Sequence, residues 1–149
     1  MERFNLVLVP GLLSTQLLWR KQLEVLTDIA DVRVTQQHLR HKSCDAIAEA
    51  ILEESPPNFA IAGSSMGSHI ALLVKKKGGA RVTHIGLIGS SSNINAADQD
   101  ERRMMMLKLA EQGAFDQIKQ QMLEVFLNSD NLQITSMRSV IDKMAEVVG

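Results

Sequence analysis

Ser65 stands two residues from a glycine on either side, in the run Gly63-Ser64-Ser65-Met66-Gly67. That run joins an apolar stretch, Phe59-Ala60-Ile61-Ala62, to a second apolar segment, Ile70-Ala71-Leu72-Leu73-Val74. The arrangement reads as a strand, a sharp turn and a helix, with the serine at the apex. Such a strand brings the hydroxyl to the edge of a sheet, and the turn pushes it into solvent. The helix N-terminus aims free N–H groups at the place where negative charge would develop during attack on an acyl carbon. Gly63 and Gly67 are required because larger side chains there collide with the crowded turn. A bare G-x-S-x-G match is a weak signal; set between a strand and a helix, it is a strong one.

The elements that must hold this serine recur along the chain. Phe4 to Val9 is a continuous apolar run closed by Pro10-Gly11, as expected for a strand buried on both faces. Trp19, Leu23 and Leu26 follow at helical spacing, and Val32 and Val34 alternate with polar neighbours in a short second strand. Ser43 is placed to cap a helix whose apolar stripe is Ala46, Ile47, Ala50 and Ile51, and Pro56-Pro57 stops it. Phe59 to Ala62 is the third strand. The helix after Ser65 runs to Gly78-Gly79, and Val82 to Ile88 supplies the fourth strand. Strand alternating with helix predicts right-handed crossovers and a parallel sheet of about four strands flanked by helices, an α/β class.

Beyond Gly89 the pattern changes. Ser90-Ser91-Ser92-Asn93 reads as a loop, and helical stripes follow: Phe115, Ile118, Met122 and Val125, then Met137, Val140, Ile141, Met144 and Val148. Asp98 and Glu101 have the spacing of a capping pair. The predicted organisation is an α/β core over 1–96 and a helical segment over 97–149.

Composition narrows the function classes. The chain has 149 residues, enough for one real core, with 45% hydrophobic and 22% charged residues, as in a soluble globular protein. A net charge of −1 leaves no electrostatic footprint for nucleic acid or an acidic membrane surface. Lys75-Lys76-Lys77, the one dense basic run, reads as a solvated helix C-terminus. Cys44 is alone, so no internal disulfide forms, and it reads as a small half-buried residue at a helix start. One cysteine and four scattered histidines fit no metal-ligand spacing. The Pro10-Gly11-Leu12-Leu13 loop lacks the glycine spacing and lysine of a phosphate cradle, which weighs against a flavodoxin-like or nucleotide-binding domain. The stretch Leu6-Val7-Leu8-Val9 is far short of the roughly 20 residues of a membrane span. With no basic leader and no convincing cleavage site beside it, it is not expected to be a signal peptide. A cytoplasmic protein with no membrane or nucleic-acid partner and no cofactor is expected.

Taken together, Leu6-Val7-Leu8-Val9-Pro10-Gly11-Leu12-Leu13, Leu18-Trp19, the segment from Phe59 to Gly67 and Gly86-Leu87-Ile88-Gly89-Ser90-Ser91 resemble the N-terminal part of an α/β-hydrolase. More narrowly, the chain is similar to short bacterial esterase-like hydrolases that open with the oxyanion-loop strand. The resemblance implies Ser65 as nucleophile, and the backbone N–H groups of Leu12 and Met66 as the oxyanion hole. It implies a small-molecule acyl substrate and a helical cap after Ala96. Pro10 stands where many members have histidine, a tolerable change because the donor in that loop is backbone.

A serine hydroxyl needs a base to take its proton, and the base needs an orienting acid. In the family the acid and histidine come after the cap, in that order. The chain is expected to stop within the cap, leaving those positions without counterparts. Local substitutes are poor. His84 begins its strand and belongs at the wrong edge of the sheet. His69 is one turn into the helix behind Ser65 and reads as a partly buried histidine bonded to a carbonyl. His38 and His41 follow the second strand at the correct edge but read as surface residues. Asp98 and Asp100 lie where some members place their acid, yet read as helix caps. Met104-Met105-Met106 reads as a core-facing helix with one or two exposed methionines rather than an acyl pocket.

Two functions follow: a serine hydrolase for a small ester or related acyl compound, impaired by its missing acid and histidine, or a non-catalytic binding or oligomerisation module. For the second, the fourth strand is expected to present an unprotected apolar edge, available to a second copy or to a complementing fragment.

Overall fold

The computed structural model of the protein describes residues 3–90 and 97–148, with all side chains except those of residues 97–100, Arg102 and Val125. The chain divides into two compact units, Met1–Ser90 and Ser91–Gly149. The boundary expected at Ala96 lies outside the described residues, as do Ser91, Ser92 and Asn93 of the expected loop.

In the first unit, strands β1 (Phe4–Val9), β2 (Ala30–Val34), β3 (Phe59–Ser64) and β4 (Val82–Ile88) form one parallel sheet in the order β2-β1-β3-β4. The chain moves outward from β1 to β2, then crosses back over β1 to β3. Right-handed crossovers in opposite directions place their helices on opposite faces. Helix α1 (Arg20–Leu26) therefore covers one face, and α2 (Cys44–Glu54) and α3 (Met66–Gly78) the other.

Alternation along the strands divides the core accordingly. Val7, Val9, Phe59 and Ile61 meet Ile47, Ala48 and Ile51 of α2 and Ile70, Ala71 and Val74 of α3. Leu6, Leu8, Ala30 and Ala60 meet Trp19, with Leu18, Leu23 and Leu26 half-buried beside them. Each fully buried Val, Ile or Phe contributes about 1.5–3 kcal/mol. The α2–α3 face is thus the stronger half of the core.

The local signals behave as their chemistry requires. Ser43 caps α2, its hydroxyl accepting the Ala46 N–H at 3.2 Å. The stripe on that helix centres on Ile47, Ala48 and Ile51, while Ala46 and Ala50 are half-buried. Lys75, Lys76 and Lys77 occupy the last turn of α3. Lys77 bridges to Glu49 at 2.9 Å and Asp45 at 3.1 Å, tying α3 to α2, and the hydrogen bonds its ammonium donates to Glu49 and then to Asp45 raise its pKa. Cys44, expected half-buried, is exposed: α2 turns its buried stripe, three residues on, toward the sheet and leaves its first turn in solvent.

The second unit is helical: α4 (Ala97–Glu111), α5 (Phe115–Phe126) and α6 (Thr135–Val148). Gly113, at φ 70°, ends α4 through Ala114 N–H to Leu109 O (2.8 Å) and Gly113 N–H to Ala110 O (3.0 Å). That pair of bonds is a left-handed helix stop, which glycine accommodates without strain. Leu109, Ile118, Met122, Leu123, Ile141, Met144 and Ala145 are buried. Met104 and Met105 are exposed and Met106 is half-buried. Asp98 lies in the first turn of α4, but its side chain and that of Asp100 fall outside the described set.

Among the described residues no helix is long and apolar enough to cross a membrane.

Candidate active site

The sheet order reverses between β1 and β3, and both strands end at the same edge. In open parallel sheets such a switch point opens a crevice beyond the carboxyl ends of the strands. Ser65 and the loop after β1 both sit there.

Ser65 links the last residue of β3 to the first of α3. It is exposed and adopts φ 52°, ψ −114°, a conformation that side-chain-bearing residues rarely hold. Strain of this kind costs about 1–3 kcal/mol and persists only where the surroundings enforce it. The enforcement is visible. Ser65 N–H donates to Ile88 O at 2.8 Å, and Ser65 O accepts the Ser68 N–H at 2.9 Å. Buried Ser68 places its Oγ 2.7 Å from Gly63 O and 3.1 Å from Ile88 O, and accepts the Ile88 N–H at 3.2 Å. Ser68 thus fastens the elbow to the end of β4. The sequence carried no sign of this role beyond its place three residues after Ser65.

The glycines are needed for contact at backbone distance. A Cβ on Gly63 would lie 2.0 Å from Gly67 O. One on Gly67 would lie 2.3 Å from Val9 O and 2.6 Å from Pro10 O. The end of β1 therefore runs directly against the start of α3. Gly11 follows, its would-be Cβ only 3.5 Å from Ser65 Cβ.

Residues Gly11 to Ser14 form a tight turn closed by Ser14 N–H to Gly11 O at 3.3 Å, with Leu13 at φ 53°. Gly11 C=O and Leu12 N–H share one planar trans peptide, so they point in opposite directions. With Gly11 O drawn into the turn, Leu12 N–H faces out of it. Met66 opens α3, and the N–H groups of a first helical turn have no partner within the helix. Ser65 itself makes no side-chain capping bond.

The histidines separate clearly. His84 pairs in register with Ala60, four residues short of the Ser64–Ile88 pair, roughly 13 Å down the strand. Its Nδ1 lies 3.2 Å from Thr83 Oγ1. His69 is exposed on α3, between buried Ser68 and Ile70, rather than partly buried against a carbonyl as its position suggested. His41 is exposed. His38 departs from the surface expected of it: it is half-buried, and its Nε2 lies 2.9 Å from Ser14 O. None of these contacts reaches Ser65 Oγ. Among the described residues no group of three or more His, Cys, Asp or Glu is placed to hold a metal ion.

A recess of about 390 Å³ in the first unit lies around the starts of β1 and β2, lined by Arg3, Asn5, Asp31, Arg33 and Glu54. This is the opposite edge of the sheet from Ser65. Its charges are internally paired, Arg3 with Asp31 and Arg33 with Glu54, so it has no part in the elbow's chemistry.

No protein-family model matches the sequence, and no curated protein is significantly similar to it. Solved structures do resemble it. One is an α/β-hydrolase enzyme from the metagenome of sediments of the Mar Chica lagoon, Morocco. It is 22% identical with a TM-score of 0.53, over 73% of this chain and 57% of that one. Another is the thioesterase domain from the curacin biosynthetic pathway, 14% identical with a TM-score of 0.55, over 92% of this chain and 59% of that one. The chain thus has an α/β-hydrolase-like fold. It is an incomplete one: a four-stranded parallel sheet flanked by helices, spanning less than three fifths of the length of either neighbour.

Proposed function

We propose that Ser65 is the nucleophile of a serine hydrolase acting on a small ester or related acyl compound. The observation that carries this reading is the exposed serine held at φ 52° between a strand and a helix, on glycines that admit no side chain. Strain maintained at a solvent-facing hydroxyl has no use in packing. In the reaction, Ser65 Oγ bonds to the acyl carbon, the bond to the alcohol or thiol leaving group breaks, and the Ser65 proton passes to that group through water. The backbone N–H groups of Met66 and Leu12 stabilise the oxyanion. The hydrolase and thioesterase identities of the two neighbours support acyl transfer as the chemistry.

The 149-residue chain is expected to be slow, because no described base reaches Ser65. Oxyanion stabilisation alone still gives about 10³–10⁴-fold acceleration over water in well-studied triad enzymes. The test is labelling by a fluorophosphonate, in which Oγ bonds to phosphorus, fluoride leaves and the proton passes to water. Mass spectrometry is expected to locate a single adduct on Ser65, forming over hours. An unmodified chain after prolonged exposure counts against the reading, and rapid p-nitrophenyl ester turnover dependent on Ser65 counts against the slow rate.

One observation favours a second reading, that of an oligomerisation module. β4 is an edge strand, and Ile85, Leu87 and Ile88 are 39%, 43% and 50% exposed. Ile88 turns its N–H and C=O inward, to Ser68 Oγ and Ser65 N. Those of Leu87 and Ile85, one and three residues away, face outward. Two copies can pair antiparallel about Gly86, with Ile85 and Leu87 of each exchanging hydrogen bonds with Leu87 and Ile85 of the other. No lysine or proline interrupts β4 to oppose this. Light scattering is expected to show a monomer–dimer shift with concentration, displaced toward monomer by Leu87→Lys. A mass of one chain at every concentration rejects it, whereas recruitment of a peptide supplying further strands would make a complementing fragment the partner.

A further inference from the structure

The turn that carries Leu12 is held from outside by a histidine that the proposed chemistry does not use. Beyond β2 the chain is firmly fixed. Buried Thr35 donates its N–H to Leu8 O at 2.9 Å, and its Oγ1 accepts the Gln37 N–H at 3.2 Å. The amide of buried Gln37 bonds to the Glu54 carboxylate of α2. These contacts deliver the adjacent His38 ring to the loop after β1, where Nε2 lies 2.9 Å from Ser14 O. A carbonyl oxygen only accepts, so Nε2 carries the proton, a tautomer assigned from its partner. The other ring nitrogen, Nδ1, is buried with no hydrogen-bond partner among the described residues. Burying an unpaired polar atom is unfavourable, so packing alone does not account for a histidine here.

Ser14 is where the turn's bonds converge. It is 1% exposed. Its N–H holds Gly11 O, its Oγ donates to Leu12 O at 3.2 Å, and its own carbonyl is the acceptor for His38. The orientation of the Gly11–Leu12 peptide, and so of Leu12 N–H, depends on where Ser14 sits. Leu13 at φ 53° makes the turn a strained one that relaxes unless held.

We infer that His38 is a positioning residue: by clamping Ser14 O it fixes the direction of Leu12 N–H beside Ser65. This rests on the reading of Ser65 and Leu12 given above. It gives the loop after β2 a role in oxyanion stabilisation without any contact with substrate.

The test compares His38→Phe, which fills the ring's space without a donor, with His38→Gln, which keeps an N–H of similar reach. In fluorophosphonate labelling of the full chain, His38→Phe is expected to lower kinact about tenfold, a fraction of what loss of a whole oxyanion donor costs, with KI unchanged. His38→Gln is expected to recover most of that loss. A purely structural role predicts a fall in melting temperature and no selective effect on kinact. In parallel, nitrogen-15 spectra of the wild type are expected to show the Nε2–H tautomer at His38, with the Leu12 and Ser14 amide resonances displaced in His38→Phe. If the wild type resists labelling, the Ser65 reading fails while the amide shifts still decide the clamp. Unmoved Leu12 and Ser14 amides, or equal kinact in His38→Phe and wild type, overturn the inference.

Discussion

Gly63→Ala is expected to cost about 4 kcal/mol or more, enough to leave a large fraction of a typical domain unfolded. The added methyl group would sit 2.0 Å from Gly67 O and 2.6 Å from Ser68 N, and both are backbone atoms at the start of α3. Overpacking is cheap when a side chain can swing aside. Here the whole first turn of α3 would have to withdraw. It cannot do so alone, because Gly67 lies as tightly against Val9 O and Pro10 O, and Ser68 Oγ is bonded to Gly63 O. Gly67→Ala is expected to be comparably damaging. Gly79→Ala is the control: Gly79 has φ 55° and nothing within 4 Å of its would-be Cβ, so what remains is backbone strain of about 1–3 kcal/mol less the roughly 0.5–1 kcal/mol gained by removing glycine's freedom from the unfolded chain, a net cost of about 1 kcal/mol. Urea unfolding of the three variants checks the order. If Gly63→Ala is no worse than Gly79→Ala, the close approach of β3, α3 and β1 is not what holds the elbow.

Much of this architecture was legible because it is local. Phe4 to Val9 reads as a buried strand because a parallel sheet covered on both faces has no polar side to alternate with. Its stop is written in Pro10-Gly11, and the cap of α2 is written in Ser43. The elbow was legible for the same reason: strand, turn glycines and helix are consecutive. What escaped the sequence joins residues far apart in it. His38 meets Ser14 across 24 positions, and Ser68 meets Ile88 across 20, only because β1 lies between β2 and β3 and β4 beside β3. No periodicity encodes that adjacency. Leu13 at φ 53° was unreadable in a different way, since a left-handed turn ordinarily announces itself with glycine or asparagine. His69 and Cys44 are exposed where sequence position suggests partial burial, because one residue of rotation about a helix axis separates a buried position from an exposed one.

Ser65→Gly is expected to abolish fluorophosphonate labelling, at least 100-fold, and at the same time to stabilise the protein. The two effects have one cause. Serine at φ 52° bears about 1–3 kcal/mol of strain that glycine does not, against about 0.5–1 kcal/mol for glycine's greater freedom in the unfolded chain. The balance is a gain of about 1 kcal/mol, or about 4 °C in Tm for a unit of this size. Ser65→Ala separates the contributions. It loses the hydroxyl and therefore the labelling, but keeps the Cβ and the strain, so its Tm is expected to stay within about 2 °C of wild type. Among the described residues neither variant loses a capping bond, because the Ser65 hydroxyl caps nothing in α3. Labelling that survives in Ser65→Ala would assign the adduct to another nucleophile, with neighbouring Ser64 and exposed Cys44 the first to map. A Tm that falls in Ser65→Gly would mean the serine contributes to stability, and with that its strained backbone would cease to argue for chemistry. A rise in Tm together with silenced labelling is the signature of a residue retained for reactivity at the fold's expense.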